Sequence, residues 1–173
     1  PNGAHRALAA IEAHLGDHFT LVTQNVDGLH LRAGSTVERT YEIHGNIDYF
    51  RCINECGPRK PIPDLPHVDE KAAFHPDWAE PLSCSHCRTW MRPHVLWFDE
   101  AYNENHYRFD STMDAMAQAD AMIVVGTTGT TSLPAHMLQI AKMRDIPLYD
   151  INPEDNPFAR AAMNGRGGWL RAT

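Results

Sequence analysis

Thr23-Gln24-Asn25-Val26-Asp27-Gly28-Leu29-His30, written T-Q-N-V-D-G-L-H, decides how this chain is read, together with Glu42-Ile43-His44-Gly45 that follows it. Leu21 and Val22 close a short apolar segment of β character, so Gln24, Asn25 and Asp27 stand where a strand feeds a loop. Strand ends of that kind are where open α/β sheets bind ligands. His44 arrives on a second β-like segment, Tyr41-Glu42-Ile43, and the chain turns at Gly45. One region thus holds an imidazole, a carboxylate and two amides. The same residues also suit a plainer role, in which Asn and Asp cap turns and His44 is a hydrogen-bonded structural histidine.

Upstream, Ala4, Ala7, Leu8, Ile11 and Leu15 recur at helical spacing and Gly16 supplies a stop. This predicts an amphipathic helix over 4–15, packed on the sheet that starts at 20–23. A complete dinucleotide-binding fold opens with a strand and a glycine-rich turn whose amides hold a pyrophosphate. Neither is found ahead of this helix.

Downstream, residues 46–92 change character, with half of the prolines, all four cysteines and little periodicity. Cys52-x3-Cys56 and Cys84-x2-Cys87 form two knuckles. Four thiolates around one tetrahedral zinc would fix a segment too poor in core residues to fold alone. Four reduced thiols or two disulfides are the other readings of the same spacing. His86, His67 and His75 are expected to be exposed loop histidines, since four thiolates already fill a structural site.

From Met91 a core pattern returns. Val95, Leu96, Trp97 and Phe98 predict a buried strand, introduced by Arg92-Pro93-His94 and ended by Asp99-Glu100. Residues 103–119 read as a helix with Tyr107, Met113, Met116 and Ala117 inward and His106 on a solvated face. Ala121 to Val125 is a fully buried strand in this reading. The loop Gly126-Thr127-Thr128-Gly129-Thr130-Thr131 follows it, offering amides and hydroxyls to a ribose or phosphate. Ser132 caps the next helix, Pro134 sits in its first turn, and Met137, Ile140 and Ala141 face inward. Residues 147–151 form the last strand, with Asn152-Pro153-Glu154 at its carboxyl end, where acidic side chains accept from ribose hydroxyls. A short helix over 156–163 and a flexible glycine-rich tail complete the chain.

T-Q-N-V-D-G-L-H, the E-x-H-G turn, the paired cysteines, R-P-H-V-L-W-F-D-E at 92–100, the G-T-T loop and the I-N pair at 151–152 occur in one order. That order resembles the sirtuins, NAD-dependent protein deacylases, over nearly all of the chain from Ala4 to Asn152. The resemblance implies an α/β fold: a Rossmann-like parallel sheet, its first βα unit missing, over 1–46 and 93–173, with an inserted zinc-binding module at 47–92. It implies NAD as cofactor and structural zinc on Cys52, Cys56, Cys84 and Cys87. Gln24, Asn25 and Asp27 would contact the nicotinamide ribose, Asn25 and Asp27 also orienting a water for catalysis. His44 would be the general base. Gly126, Thr127 and Thr128, then Asn152, Pro153 and Glu154, would hold the rest of NAD. Val95, Leu96 and Phe98 would line the tunnel for an acylated lysine of a protein or peptide. One departure stands out, because Asp99 occupies the place where the family usually has glycine before the glutamate. Other outcomes of the same resemblance are a non-catalytic zinc-bearing module, or an NAD hydrolase or ADP-ribosyltransferase using the ribose site alone.

Composition sets the outer limits. The 173 residues suffice for one real core or a domain with a small satellite. A formal net charge of -7 argues against phosphate-backbone binding by clustered cations, so no nucleic-acid partner is expected. The apolar run at 121–125, which no other exceeds, is too short to span a bilayer. No signal peptide is read at the start, and close cysteine pairs suit a reducing compartment, so the expected location is the cytoplasm.

Overall fold

The computed structural model describes residues 1–64 and 76–172, so His67 and His75 lie outside the described residues. By its contacts the chain divides into two units, Pro1–Phe109 and Asp110–Thr173.

In the first unit, the Asn2 side chain accepts from the His5 N–H at 3.2 Å and starts α1 (Gly3–Leu15). The helix is where the periodicity put it, but its buried residue is not. Glu12 is 3% exposed, whereas Ile11 and Leu15 are 36% and 42% exposed. The Glu12 carboxylate accepts from the Thr36 N–H at 2.9 Å and the Thr36 hydroxyl at 2.5 Å, which ties this polar face down. Burial pushes the Glu12 carboxyl up, yet the Thr36 hydrogen bonds outweigh it and hold the group below its ordinary value.

β1 (Leu21–Thr23) and β2 (Thr40–Glu42) pair in parallel, Leu21 with Thr40 and Thr23 with Glu42. β3 (Gly45–Cys52), β4 (Lys60–Pro61) and β5 (Met91–Val95) form an antiparallel sheet in the order β4-β3-β5. The cysteine-bearing segment therefore has strand structure that its composition did not reveal. Gly45 opens β3 opposite Val95 of β5, with the two backbones packed tightly together. It has φ +87°, and a Cβ there would meet the His94 carbonyl oxygen at 2.0 Å.

The apolar strand expected at 95–98 is displaced toward its N-terminus. β5 ends at Val95, Trp97 is half exposed and Phe98 is fully exposed. Local polar groups take over the backbone there. The Arg92 guanidinium donates to the Val95 carbonyl at 2.7 Å, and the Glu100 carboxylate accepts from the Trp97 N–H at 2.8 Å. These bonds turn the chain away from the ladder.

The helix expected over 103–119 is two helices, α3 (Glu104–Tyr107) and α4 (Phe109–Gln118), separated by Arg108 in left-handed backbone at φ +49°. The Arg108 guanidinium lies over the Tyr41 ring, 4.9 Å from the centroid, and donates to the Glu38 carbonyl. His106 is not solvated as expected. Its side chain is 18% exposed, and Nε2 lies 2.9 Å from a Glu55 carboxylate oxygen.

In the second unit, β6 (Met122–Val125), β7 (Leu148–Ile151) and β8 (Gly167–Leu170) form a parallel sheet in that order. α5 (Ser132–Arg144) and α6 (Pro157–Asn164) supply helices to a core of Met116, Val124, Leu138, Ala141, Leu148, Phe158 and Ala162. Met137 and Ile140 pack against this core as expected. Three expectations change. β6 buries one face only, since Ile123 and Val125 alternate outward and are about half exposed. The N-cap of α5 is Thr131, one residue before Ser132. The glycine-rich segment expected as a flexible tail is β8, in which a Cβ at Gly167 would lie 1.7 Å from the Leu148 carbonyl oxygen. Among the described residues, no helix is long and apolar enough to cross a membrane.

Candidate active site and thiol cluster

β3 carries Cys52 at its end, and a turn in which Glu55 N–H donates to the Cys52 carbonyl brings Cys56 back beside it. The second knuckle is closed by Cys84 N–H donating to the Thr89 carbonyl at 2.7 Å and Arg88 N–H to the Cys84 carbonyl at 2.9 Å. The four Sγ atoms lie within 4.8 Å of one another, and Cys52 and Cys87 are 3.4 Å apart at sulfur. A tetrahedral zinc with Zn–S near 2.3 Å sets sulfurs roughly 3.8 Å apart, so the cluster has the right size. All four cysteines are free of disulfides, and His86 is exposed and outside the group.

The thiols also divide their protons. The Thr89 hydroxyl and nearby N–H groups pull Cys52 down to about 5, and Cys87 is lowered by Thr89 too. Cys56 is pushed up to about 12 by its hydrogen bond toward Cys87, by burial and by facing Cys52. Anionic sulfur is thus favoured at two positions and resisted at a third for want of positive charge. A bound dication supplies that charge, and a zinc would be held by Cys52, Cys56, Cys84 and Cys87.

At the end of β1, Asn25 is exposed while Gln24 and Asp27 are half-buried. The Asp27 carboxylate accepts from the Leu29 N–H at 3.0 Å, a turn-capping bond that leaves its second oxygen for other partners. His44 follows β2 and is half-buried. Its Nε2 lies 2.9 Å from the Tyr102 hydroxyl, and its ring also donates to the Gln24 backbone carbonyl. Burial lowers the His44 pKa, with the Gln24 bond working against that shift. The His44 carbonyl accepts from the Leu96 N–H at 2.9 Å. The histidine, the Gln24 backbone and the Leu96 backbone are therefore brought together in the first unit.

Val95 and Leu96 are half-buried beside this junction, whereas the Phe98 ring projects into solvent. Glu100 sets that arrangement. Its carboxylate accepts from both Arg92 and Arg51, and Arg92 stacks on the Trp97 ring 3.5 Å from the centroid. The Arg92 bond is the main reason that the Glu100 carboxyl sits below its usual range. Sequence reasoning passed over Arg92, Glu100 and Tyr102 as site residues. Tyr102 lies in a stretch without periodicity, where no residue pattern marks it.

In the second unit, the Gly126-Thr127-Thr128 loop follows β6, with Gly126 N–H donating to the Ile151 carbonyl at 3.0 Å. The buried Asn152 amide donates to the Thr127 carbonyl at 2.8 Å, so the loop and the end of β7 form one structure. Pro153 and Glu154 are exposed beside it. Asn156 caps α6 and donates to the fully buried Asp150 carboxylate at 2.9 Å, which burial has raised above its ordinary pKa.

Parallel strands whose carboxyl ends present polar residues, together with an antiparallel segment bearing four convergent thiols of a size to hold a zinc ion, define an α/β protein with a small cysteine module. A family model described as Sir2 family matches residues 1–132, and the chain belongs to that family. It is 37% identical over 92% of its length to an NAD-dependent protein deacylase of Leptospira interrogans, and 39% identical over 94% to one of Thermus thermophilus. A solved Sir2 homolog–NAD complex is 30% identical with a TM-score of 0.75, covering 99% of this chain and 59% of that one. The chain spans 58% of the length of each of the two curated relatives named here.

Proposed function

We propose that the chain carries the catalytic and zinc-bearing part of an NAD-dependent protein lysine deacylase, active on acylated-lysine proteins or peptides in the cytoplasm. The overall reaction moves the acyl group from lysine to ADP-ribose and releases nicotinamide. The observation that carries this reading is the backbone junction at His44, where one residue offers a ring nitrogen for proton transfer and a carbonyl to the Leu96 N–H. It is supported by the names of the relatives. Residues 1–46 and 93–173 make the nucleotide-binding domain in this account, and 47–92 the zinc module.

Each residue then has a definite task. His44 takes a proton from a ribose hydroxyl, for which its lowered pKa keeps the ring neutral at physiological pH. Gln24 holds ribose hydroxyls near that ring, and Asn25 and Asp27 orient the ribose and a water. Gly126, Thr127 and Thr128 with Asn152, Pro153 and Glu154 hold the remainder of NAD. Val95, Leu96 and Phe98 contact the acyl-lysine. Zinc would act structurally, since four thiolates leave no open coordination position for water.

A second reading has an observation in its favour. Asp99 replaces the glycine that lets a peptide backbone approach, and Phe98 next to it is turned fully outward. NAD hydrolysis or ADP-ribosyl transfer would use the ribose site without the lysine contacts. Release of nicotinamide from NAD with and without an acetyl-lysine peptide separates the two: dependence on the peptide supports deacylation, and release of equal rate without it supports the second reading.

A further inference from the structure

The hydroxyl that faces His44 has no part in the function described so far. Tyr102 is half-buried, and its ring is nearly parallel to two others: His44 at 5.9 Å between centroids with 21° between planes, and Phe109 at 5.5 Å with 19°. Such near-parallel offset contacts hold a ring in one orientation. Burial raises the Tyr102 pKa, so its oxygen keeps its proton near neutrality. A protonated phenol donates to an imidazole nitrogen's lone pair where the ring's own proton lies on the other nitrogen. With Nε2 engaged in this way at 2.9 Å, Nδ1 is the nitrogen left to donate to the Gln24 carbonyl. A histidine's tautomer is set by the partner of its other nitrogen.

We propose that Tyr102 is a positioning residue for His44, its hydroxyl donating to Nε2 so that the ring's own proton sits on Nδ1, toward the Gln24 carbonyl, and Nε2 carries the unprotonated electron pair. Nε2 is then the nitrogen that gains a proton on acidification, and in catalysis a ribose hydroxyl takes the place of the Tyr102 hydroxyl on that electron pair. The stack on Phe109 and the Gln24 carbonyl fix the two ends of the arrangement, and Tyr102 joins them. That His44 acts as a base rests on the function proposed above. The hydrogen-bond arrangement does not, so it can be tested without turnover.

The test is nuclear magnetic resonance on the full chain, with ¹⁵N in the histidine rings and ¹³C at the tyrosine ring carbon bearing oxygen. Signals are assigned with His44→Phe and Tyr102→Phe. In the wild-type chain near neutral pH, His44 is expected to show a protonated Nδ1 and an unprotonated Nε2. The Tyr102 carbon signal is expected to move with the same midpoint as His44 when pH is lowered. In Tyr102→Phe, which retains the ring stack, the Nε2 signal shifts toward that of an unbonded nitrogen while Nδ1 stays protonated. A wild-type His44 protonated at Nε2, or a Tyr102 signal indifferent to His44 titration, overturns the proposal, and neither result needs the variant to fold. Loss of deacylation with this pattern intact would count against the proposed function instead.

Discussion

Replacing Gly45 by alanine perturbs the crossing of β3 and β5 that sets His44 against Leu96. A Cβ at this position would lie 2.0 Å from the His94 carbonyl oxygen, 2.8 Å from its carbon and 3.1 Å from the Val95 Cα. All three are main-chain atoms, so no side chain can swing aside and β5 itself must move. A residue with a Cβ in left-handed backbone costs about 1–2 kcal/mol before any clash. Moving β5 also opens the Gly45–Val95 pairing and the 2.9 Å bond from Leu96 N–H to the His44 carbonyl, at about 1 kcal/mol for each bond lost. The sum is about 3–4 kcal/mol, a large part of the roughly 5–15 kcal/mol that holds a domain folded. Urea denaturation followed by circular dichroism measures it. With a slope of about 1–3 kcal/mol per molar, the midpoint should fall by more than about 1 M. A change no greater than the roughly 0.5 kcal/mol of an ordinary surface substitution would refute the tight crossing.

Metal analysis should find one zinc per chain, and Cys84→Ser should lose it and make β3 and β5 sensitive to protease; a metal-free chain in which those strands resist protease as before would contradict the structural role. His94 is 2% exposed, and burial with the nearby Arg59, His106 and Arg51 charges pushes it down to about 4. The unfolded chain binds a proton at this residue near pH 6.5 while the folded chain does not, so stability falls as pH drops from about 6.5 toward 4, by at most about 1.4 kcal/mol per pH unit. Urea midpoints between pH 7 and 5 should show that slope in the wild type and a flatter one in His94→Phe; equal slopes would remove His94 from the explanation. Any acyl-peptide turnover should lose its base on acidification through a pKa below the ordinary histidine value, because burial lowers that of His44. An acid limb centred above pH 7 would be inconsistent with that environment.

The sequence carried the skeleton of the fold and the cysteine cluster well, because their signals are local. A strand running into T-Q-N-V-D, two cysteine knuckles and a glycine-hydroxyl loop after β6 each depend on neighbours along the chain. Their order along the chain did the rest. What escaped depends on contacts between distant residues. Glu12 is buried because Thr36, far along the chain, satisfies its carboxylate, and periodicity weighs only apolar residues. β8 was hidden because Gly167 and Gly168 have poor strand propensity, while the close approach to Leu148 is what calls for glycine at 167. Trp97 and Phe98 looked like core because they are apolar, but Arg92 and Glu100 bend their backbone outward. Asn152 and Thr127 were read as separate contacts of one ligand, and the bond between them appears only once β6 and β7 are paired.

The central claim is that His44 is the base of an NAD-dependent deacylation. Its most direct test is nicotinamide release from NAD with an acetyl-lysine peptide, comparing the wild-type chain with His44→Ala of verified fold and zinc content. The account predicts peptide-dependent release by the wild type and a loss of about 100-fold or more in the variant, the ordinary scale of a positioned proton acceptor. Equal release by the two proteins would contradict it.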